Sequence, residues 1–129
     1  MGWWQKLLNL GPQKPSFRSV DWLAVEGKLR GLEAMSTSPD QATAKQLLIQ
    51  SDILVGLILN QANVPGQTLG EQLKTLRGRM ENQTYHHLWQ AHNKRNELVH
   101  ESGSFVAAWE KDQYFRYFKA GISALRGVR

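Results

Sequence analysis

The part of the chain with the clearest capacity for chemistry runs from residue 92 to residue 101 and reads His-Asn-Lys-Arg-Asn-Glu-Leu-Val-His-Glu. It places Arg95, Asn96 and His100 on a stretch whose helical pattern predicts buried apolar side chains. A cation and an imidazole at the edge of a helical core lose hydration, which is unfavourable unless partners or a ligand compensate. We therefore interpret these three residues as a candidate functional site.

The spacing of these residues limits how they can act together. Asn96 and His100 are four positions apart and share one side of a helix, while Arg95 lies about 100° around the axis from Asn96. Arg95 and His100 are separated by about 140° on an ideal helix, so one straight helix does not aim both at the same atom. Either the helix unwinds before His100, helped by Gly103, or two copies of the segment face each other across a dimer.

An arginine and a histidine that meet at one anion suit cleavage of a phosphodiester in which the adjacent ribose 2′-hydroxyl is the nucleophile. Histidine can accept the 2′ proton or protonate the 5′ leaving oxygen, and a guanidinium can hold the non-bridging oxygens as negative charge builds. This chemistry requires no metal or other cofactor. Because DNA lacks the 2′-hydroxyl, it predicts selectivity for RNA.

The run Arg95-Asn96-Glu97-Leu98-Val99-His100 resembles the signature of HEPN domains, in which an arginine followed by a polar residue precedes a histidine by four to six intervening positions. HEPN domains are small helical bundles that typically dimerise along the motif-bearing helices. Many are metal-independent endoribonucleases of toxin–antitoxin, phage-defence and RNA-processing systems. The resemblance extends to the architecture, because the motif falls in the penultimate long helix predicted here, as it does in that family.

The resemblance implies a role for each motif residue. Arg95 would bind and stabilise the scissile phosphate, His100 would transfer protons, and Asn96 would orient the histidine or the phosphate. One subgroup of HEPN toxins carries a tyrosine two residues after the histidine, where a nucleotidyltransferase antitoxin modifies it. This chain has Ser102 at that position, which argues against that form of regulation.

Other polar residues near the motif are candidates for binding RNA. His92 lies one turn before Asn96 and can extend an anion site, although a hydrogen-bonded histidine at the core edge is the more ordinary role for it. The basic residues that can follow a nucleic-acid backbone, or simply face solvent, are Lys74, Arg77, Arg79 and Lys94. The spacing of His86, His87, His92 and His100 does not match the i, i+4 pair of a zinc helix, so no metal site is predicted.

A second function class remains open beside the nuclease. The same helical domain can serve as a non-catalytic dimerisation module or as a partner-binding or nucleotide-binding module. As a nuclease, the chain is expected to act on RNA as a homodimer, with an antitoxin or accessory protein as a further partner, in the cytoplasm.

Composition agrees with one domain that binds anions. The chain has 129 residues, 16 Lys and Arg against 11 Asp and Glu, a formal net charge of +5 and no cysteine. Cysteine-dependent chemistry and disulfides are thereby excluded, so stability must come from packing. The longest strongly apolar run, Ile53 to Leu59, is far shorter than the roughly 20 residues of a membrane span, and we expect none.

Apolar periodicity predicts an all-α, up-and-down bundle of four to five helices over residues 16–129. The resemblance to HEPN domains implies that this bundle is HEPN-like and dimerises along the motif helix. The first four predicted helices run from a cap at Ser16 or Ser19 to about Met35, from a cap at Ser38 to near Asn63, from a cap at Thr68 to about Arg77, and from a cap at Asn82 through Val99. The last helix runs onward from Ser104. The last helix is expected to bury Phe105, Ala108, Trp109, Phe115, Phe118, Ile122 and Leu125. Residues 1–15 are expected to form an amphipathic segment and linker, with Trp3, Trp4, Leu7 and Leu8 on one face.

Overall fold

A computed structural model describes residues 14–129, so the predictions for Trp3, Trp4, Leu7 and Leu8 lie outside the described residues. After a 3-10 turn at Phe17–Ser19, five α-helices follow, and residues 14–129 contain no strand. They are α1 (Trp22–Ser36), α2 (Gln41–Gln61), α3 (Leu69–Thr75), α4 (Asn82–His100) and α5 (Ala108–Arg126). The prediction of an all-helical bundle is confirmed.

Helix α2 forms the centre of the bundle, as its distribution of apolar residues predicts. It packs against α1, α3, α4 and α5, and α4 packs along α5. Leu54, Val55, Ile58 and Leu59 are buried, and Leu57 is partly buried against the same core. By length and composition α2 is the one described helix apolar enough to cross a membrane, but half of that window is buried in the bundle, as a core helix would be.

Three helices are capped at their N-terminus by a carboxylate side chain and not by the residue that the sequence pattern predicted. The carboxylate of Asp21 accepts from the Ala24 amide, Asp40 accepts from Thr43, and Glu81 accepts from Gln83. The predicted caps Ser16 or Ser19, Ser38 and Asn82 were therefore wrong by one to a few positions. Thr68 does cap α3, where its hydroxyl accepts from the Glu71 amide at 3.1 Å.

The predicted inward face of α5 is wrong at its beginning. Phe105 and Trp109 are 65% and 67% exposed and Ala108 is also exposed, while Phe115 and Phe118 are buried. The helix begins at Ala108 because both backbone groups of Val106 bond to the side chain of Gln41, which holds the preceding loop against α2. Trp109 precedes Phe118 by nine positions, about two and a half turns, so it lies on the opposite side of the helix.

Candidate functional site

Asp52, in the middle of α2, is a buried carboxylate around which the site is built. Its two oxygens lie 3.0 and 3.2 Å from Nδ1 of His92, which is also buried, in α4. Asp52 is not among the site residues that the sequence predicts. The signal was present, because Asp52 is the single acidic residue of α2 and directly precedes the apolar run Ile53 to Leu59, and a buried charge requires a partner.

Arg95 adds the positive charge that balances Asp52. Its Nε lies 3.3 Å from Oδ2 of Asp52, without the alignment of a hydrogen bond within the described residues. Its Nη1 donates to Oδ1 of Asn96 at 2.9 Å. The Arg95 side chain is 28% exposed, so the guanidinium reaches the surface while its inner edge is held by Asp52.

Asn96 closes these contacts into a ring of four side chains, Asp52, His92, Asn96 and Arg95. Nδ2 of Asn96 lies 3.4 Å from Nε2 of His92. Arginine can only donate hydrogen bonds, so Oδ1 of Asn96 must be the atom that faces it and Nδ2 must face the imidazole. In the neutral imidazole, Nε2 then accepts and Nδ1 carries the proton that is donated to Asp52.

A groove opens beside this ring, between α2, α4 and the start of α3, and we call it the Arg95 groove. Its volume is about 600 Å³. Its walls include Ile53 and Asn60 of α2, Thr68 and Gly70 around the start of α3, and Trp89 and Arg95 of α4. The groove brings the predicted site residues His92, Arg95 and Asn96 to one surface.

His100 lies apart from this group. It is the last residue of α4 and is exposed, and its side chain makes no hydrogen bond or salt bridge within residues 14–129. Helix α4 continues unbroken to His100, so the option that the helix unwinds before the histidine is wrong for this chain. Arg95 and His100 therefore project about 140° apart, and a single subunit does not aim them at one phosphate.

Lys94, a predicted RNA-binding residue, is instead engaged inside its own subunit. Its Nζ lies 2.6 Å from Glu97 and 3.5 Å from Glu110 of α5. Burial acts to lower the pKa of Lys94, but the hydrogen bond to Glu97 and the charges of both carboxylates outweigh it and raise that pKa above its ordinary value. Lys94 thus ties α4 to α5, and its charge is already balanced.

The remaining basic candidates are exposed and lie away from the ring. Lys74 is on α3, and Arg77 and Arg79 are in the turn that follows it. Arg79 donates to the backbone carbonyl of Arg129. Within the described part of the chain, none of the three is among the residues that line the Arg95 groove.

The other histidines do not gather around His92. His86 is exposed, and the His87 ring stacks on the Tyr117 ring with centroids 4.0 Å apart. Over residues 14–129, no three His, Asp or Glu side chains form a group suited to hold a metal ion.

Comparisons with protein-family models, with curated proteins and with solved structures find no match to this chain. A function must therefore be argued from the geometry and from the motif.

Proposed function

We propose that this chain is a metal-independent endoribonuclease of the toxin–antitoxin or phage-defence type, and that its active site is completed by a second copy of the chain. The observation that carries the proposal is the position of Arg95. Its inner edge is fixed by Asp52 and Asn96, and its outer part is exposed beside a groove. A guanidinium held in this way suits the non-bridging oxygens of a phosphodiester.

The divergence of Arg95 and His100 on one straight helix favours a dimer. If two α4 helices face each other around a two-fold axis, Arg95 of one subunit can meet His100 of the other at one phosphate. Apolar side chains beside the motif support such a contact. Val99, one turn after Arg95, is 48% exposed, and Ile53, next to Asp52, is 58% exposed.

The proposed reaction needs only groups from RNA and from the two subunits. The 2′-oxygen attacks phosphorus and loses its proton to His100 or to solvent, and the bond from phosphorus to the 5′-oxygen breaks. The leaving 5′-oxygen takes a proton from the imidazolium form of His100, and Arg95 stabilises the negative charge on the phosphoryl oxygens. Asn96 holds the side chains of Arg95 and His92 in position relative to each other. The products are a 2′,3′-cyclic phosphate and a 5′-hydroxyl.

The alternative is a non-catalytic dimerisation, partner-binding or nucleotide-binding module, and one observation favours it. The charges of Arg95 and Lys94 are both compensated inside the subunit, by Asp52 and by Glu97 with Glu110. The surface is therefore less attractive to a polyanion than the +5 formal charge of the whole chain suggests. An antitoxin or accessory partner and a cytoplasmic location belong to the nuclease proposal.

Incubation of the purified protein with RNA in EDTA tests the proposal. We expect wild type to give 2′,3′-cyclic phosphate and 5′-hydroxyl ends, and Arg95→Ala and His100→Ala each to abolish cleavage while circular dichroism stays helical. Lys28→Ala is the matched control, because it removes an exposed cation of α1 that does not line the groove. Cleavage that persists in both motif variants, or no cleavage by wild type, would overturn the proposal.

A further inference from the structure

The Arg95 groove has the size of a small-molecule site and lies directly against the residue proposed to hold the phosphate. Its volume of about 600 Å³ falls within the roughly 300–1,000 Å³ typical of ligand pockets. Its walls carry one carboxylate and one guanidinium, Asp52 and Arg95, which compensate each other at 3.3 Å. A neutral polar group therefore suits the space beyond Arg95 better than a second phosphate.

Two side chains on the groove wall, Asn60 and Thr68, have hydrogen-bond donors that are free to face a ligand. Nε2 of Gln72 donates to Oδ1 of Asn60 at 2.8 Å, so Nδ2 of Asn60 is left to donate to a ligand. The hydroxyl oxygen of Thr68 accepts from the Glu71 amide, so the hydroxyl hydrogen is also available to a ligand. Both residues line the groove. The wall thus offers hydrogen-bond donors to a ligand whose edge carries acceptors.

Gly70 keeps the groove open next to Trp89 and His92. A Cβ at position 70 would lie 3.5 Å from Cη2 of Trp89 and 3.9 Å from Nε2 of His92. These are ordinary contact distances, so a side chain is sterically tolerable but would take the space beside the edge of the Trp89 ring. The glycine therefore leaves room for a flat group to approach the indole of Trp89.

We infer that the Arg95 groove binds the base of a nucleotide adjacent to the scissile phosphate. A nucleobase is planar and neutral, has acceptors along its edge for Asn60 and Thr68, and has a π face that can meet Trp89. The identity of the occupant as an RNA base rests on the proposed function. A base in this groove cannot also be paired, so the RNA is cut where the nucleotide is unpaired.

Nucleoside 3′-monophosphates test the inference without requiring cleavage. They are titrated into the full chain, and the backbone amide of Gly70 and the indole of Trp89 are followed by NMR, with the indole signal assigned through Trp89→Phe. We expect saturable shifts of both signals, whereas inorganic phosphate should shift the region of Arg95 without moving Gly70.

Two variants make the test specific. Gly70→Ala fills the space beside Trp89 and should weaken binding by roughly tenfold, the scale of one misplaced methyl group in a pocket. Asn60→Asp keeps an acceptor for Gln72 but removes the donor, and should weaken binding by a similar factor. Gly31→Ala is the control, because it lies mid-helix in α1 with no atom within 4 Å of the new Cβ.

The outcomes separate this inference from the nuclease proposal. The inference is supported if Gly70→Ala and Asn60→Asp weaken nucleotide binding and Gly31→Ala preserves it. This holds even if RNA is never cut and the nuclease proposal fails. If no mononucleotide moves Gly70 or Trp89, or if both groove variants bind as tightly as wild type, the inference is overturned, whatever the cleavage assay shows.

Discussion

Asp52 and His92 are 40 positions apart in the chain, and their side chains meet at 3.0 Å in the interior of the bundle. This contact joins the middle of α2 to the middle of α4. Because the same carboxylate also faces Arg95, the packing of the two helices determines where the motif arginine points. The position of Arg95 is therefore a property of the core.

The first prediction concerns the charge of Asp52. In Asp52→Asn the amide NH₂ would face either Arg95 or Nδ1 of His92. In both orientations one of the two contacts of Asp52 is lost. We expect a loss of about 2 kcal/mol in the free energy of unfolding, below the 3–5 kcal/mol typical of broken buried pairs because Arg95 can hydrate. Urea unfolding measures this change. Asp112→Asn, the same substitution at an exposed position, should stay within about 0.5 kcal/mol, and equal stability of the two variants would contradict the prediction.

The second prediction concerns the imidazole of His92. The ring of contacts through Asn96 and Asp52 places the proton of the neutral form on Nδ1. Long-range ¹H–¹⁵N NMR spectra distinguish this tautomer from the one protonated on Nε2. Asn96→Ala removes the donor to Nε2 and should increase the proportion of the other tautomer. A wild-type spectrum with the proton on Nε2 would show that the assigned orientation of Asn96 is wrong.

The third prediction is a pH dependence from Lys94. Its pKa is raised in the folded chain by Glu97 and Glu110, so the folded state holds this proton more tightly than the unfolded chain. The resulting stability is complete below the unfolded lysine pKa of about 10.4 and is lost as pH rises through the folded pKa. Lys94→Met should therefore be about 1–2 kcal/mol less stable than wild type at pH 7, and the difference should shrink above about pH 10.5. A difference that stays constant to pH 11.5 in urea unfolding would contradict this account.

The fourth prediction uses two glycines with opposite surroundings. A Cβ on Gly121 would lie 2.8 Å from Cδ1 of Leu88, a fully buried side chain of α4. Gly121→Ala should therefore destabilise the chain by about 1–3 kcal/mol by forcing α4 and α5 apart. Gly31→Ala meets no atom within 4 Å and should stabilise it by about 0.5–1 kcal/mol. Thermal unfolding that moves in the same direction for both variants would count against the close α4–α5 contact.

Sequence reasoning located the helices better than their ends. The apolar pattern that placed α2 at the centre reports burial of many residues at once, and the structure agrees. A cap depends on a single hydrogen bond, and Asp21 and Asp40 competed locally with the serines nearby. The exposure of Phe105 and Trp109 followed from a long-range contact, because Gln41 binds the backbone of Val106 and delays the start of α5.

Only part of the candidate site could be predicted from the sequence. Arg95, Asn96 and His92 lie within one turn of α4, so helical spacing predicted that they share a surface. Asp52 belongs to another helix, and no spacing rule connects residues 40 positions apart. The separation of Arg95 and His100 was predicted from geometry, and the unbroken α4 leaves the dimer as the remaining way to unite them.

The central claim is that Arg95 of one subunit acts with His100 of another. Arg95→Ala and His100→Ala proteins are each inactive under this account, but after mixing and subunit exchange the mixed dimer retains one intact arginine and histidine pair across the two-fold axis. We predict that cleavage of RNA in EDTA returns to a sizeable fraction of the wild-type rate, while a mixture of Arg95→Ala with the double variant stays inactive. A mixture of the two single variants that exchanges subunits and remains inactive would contradict the claim.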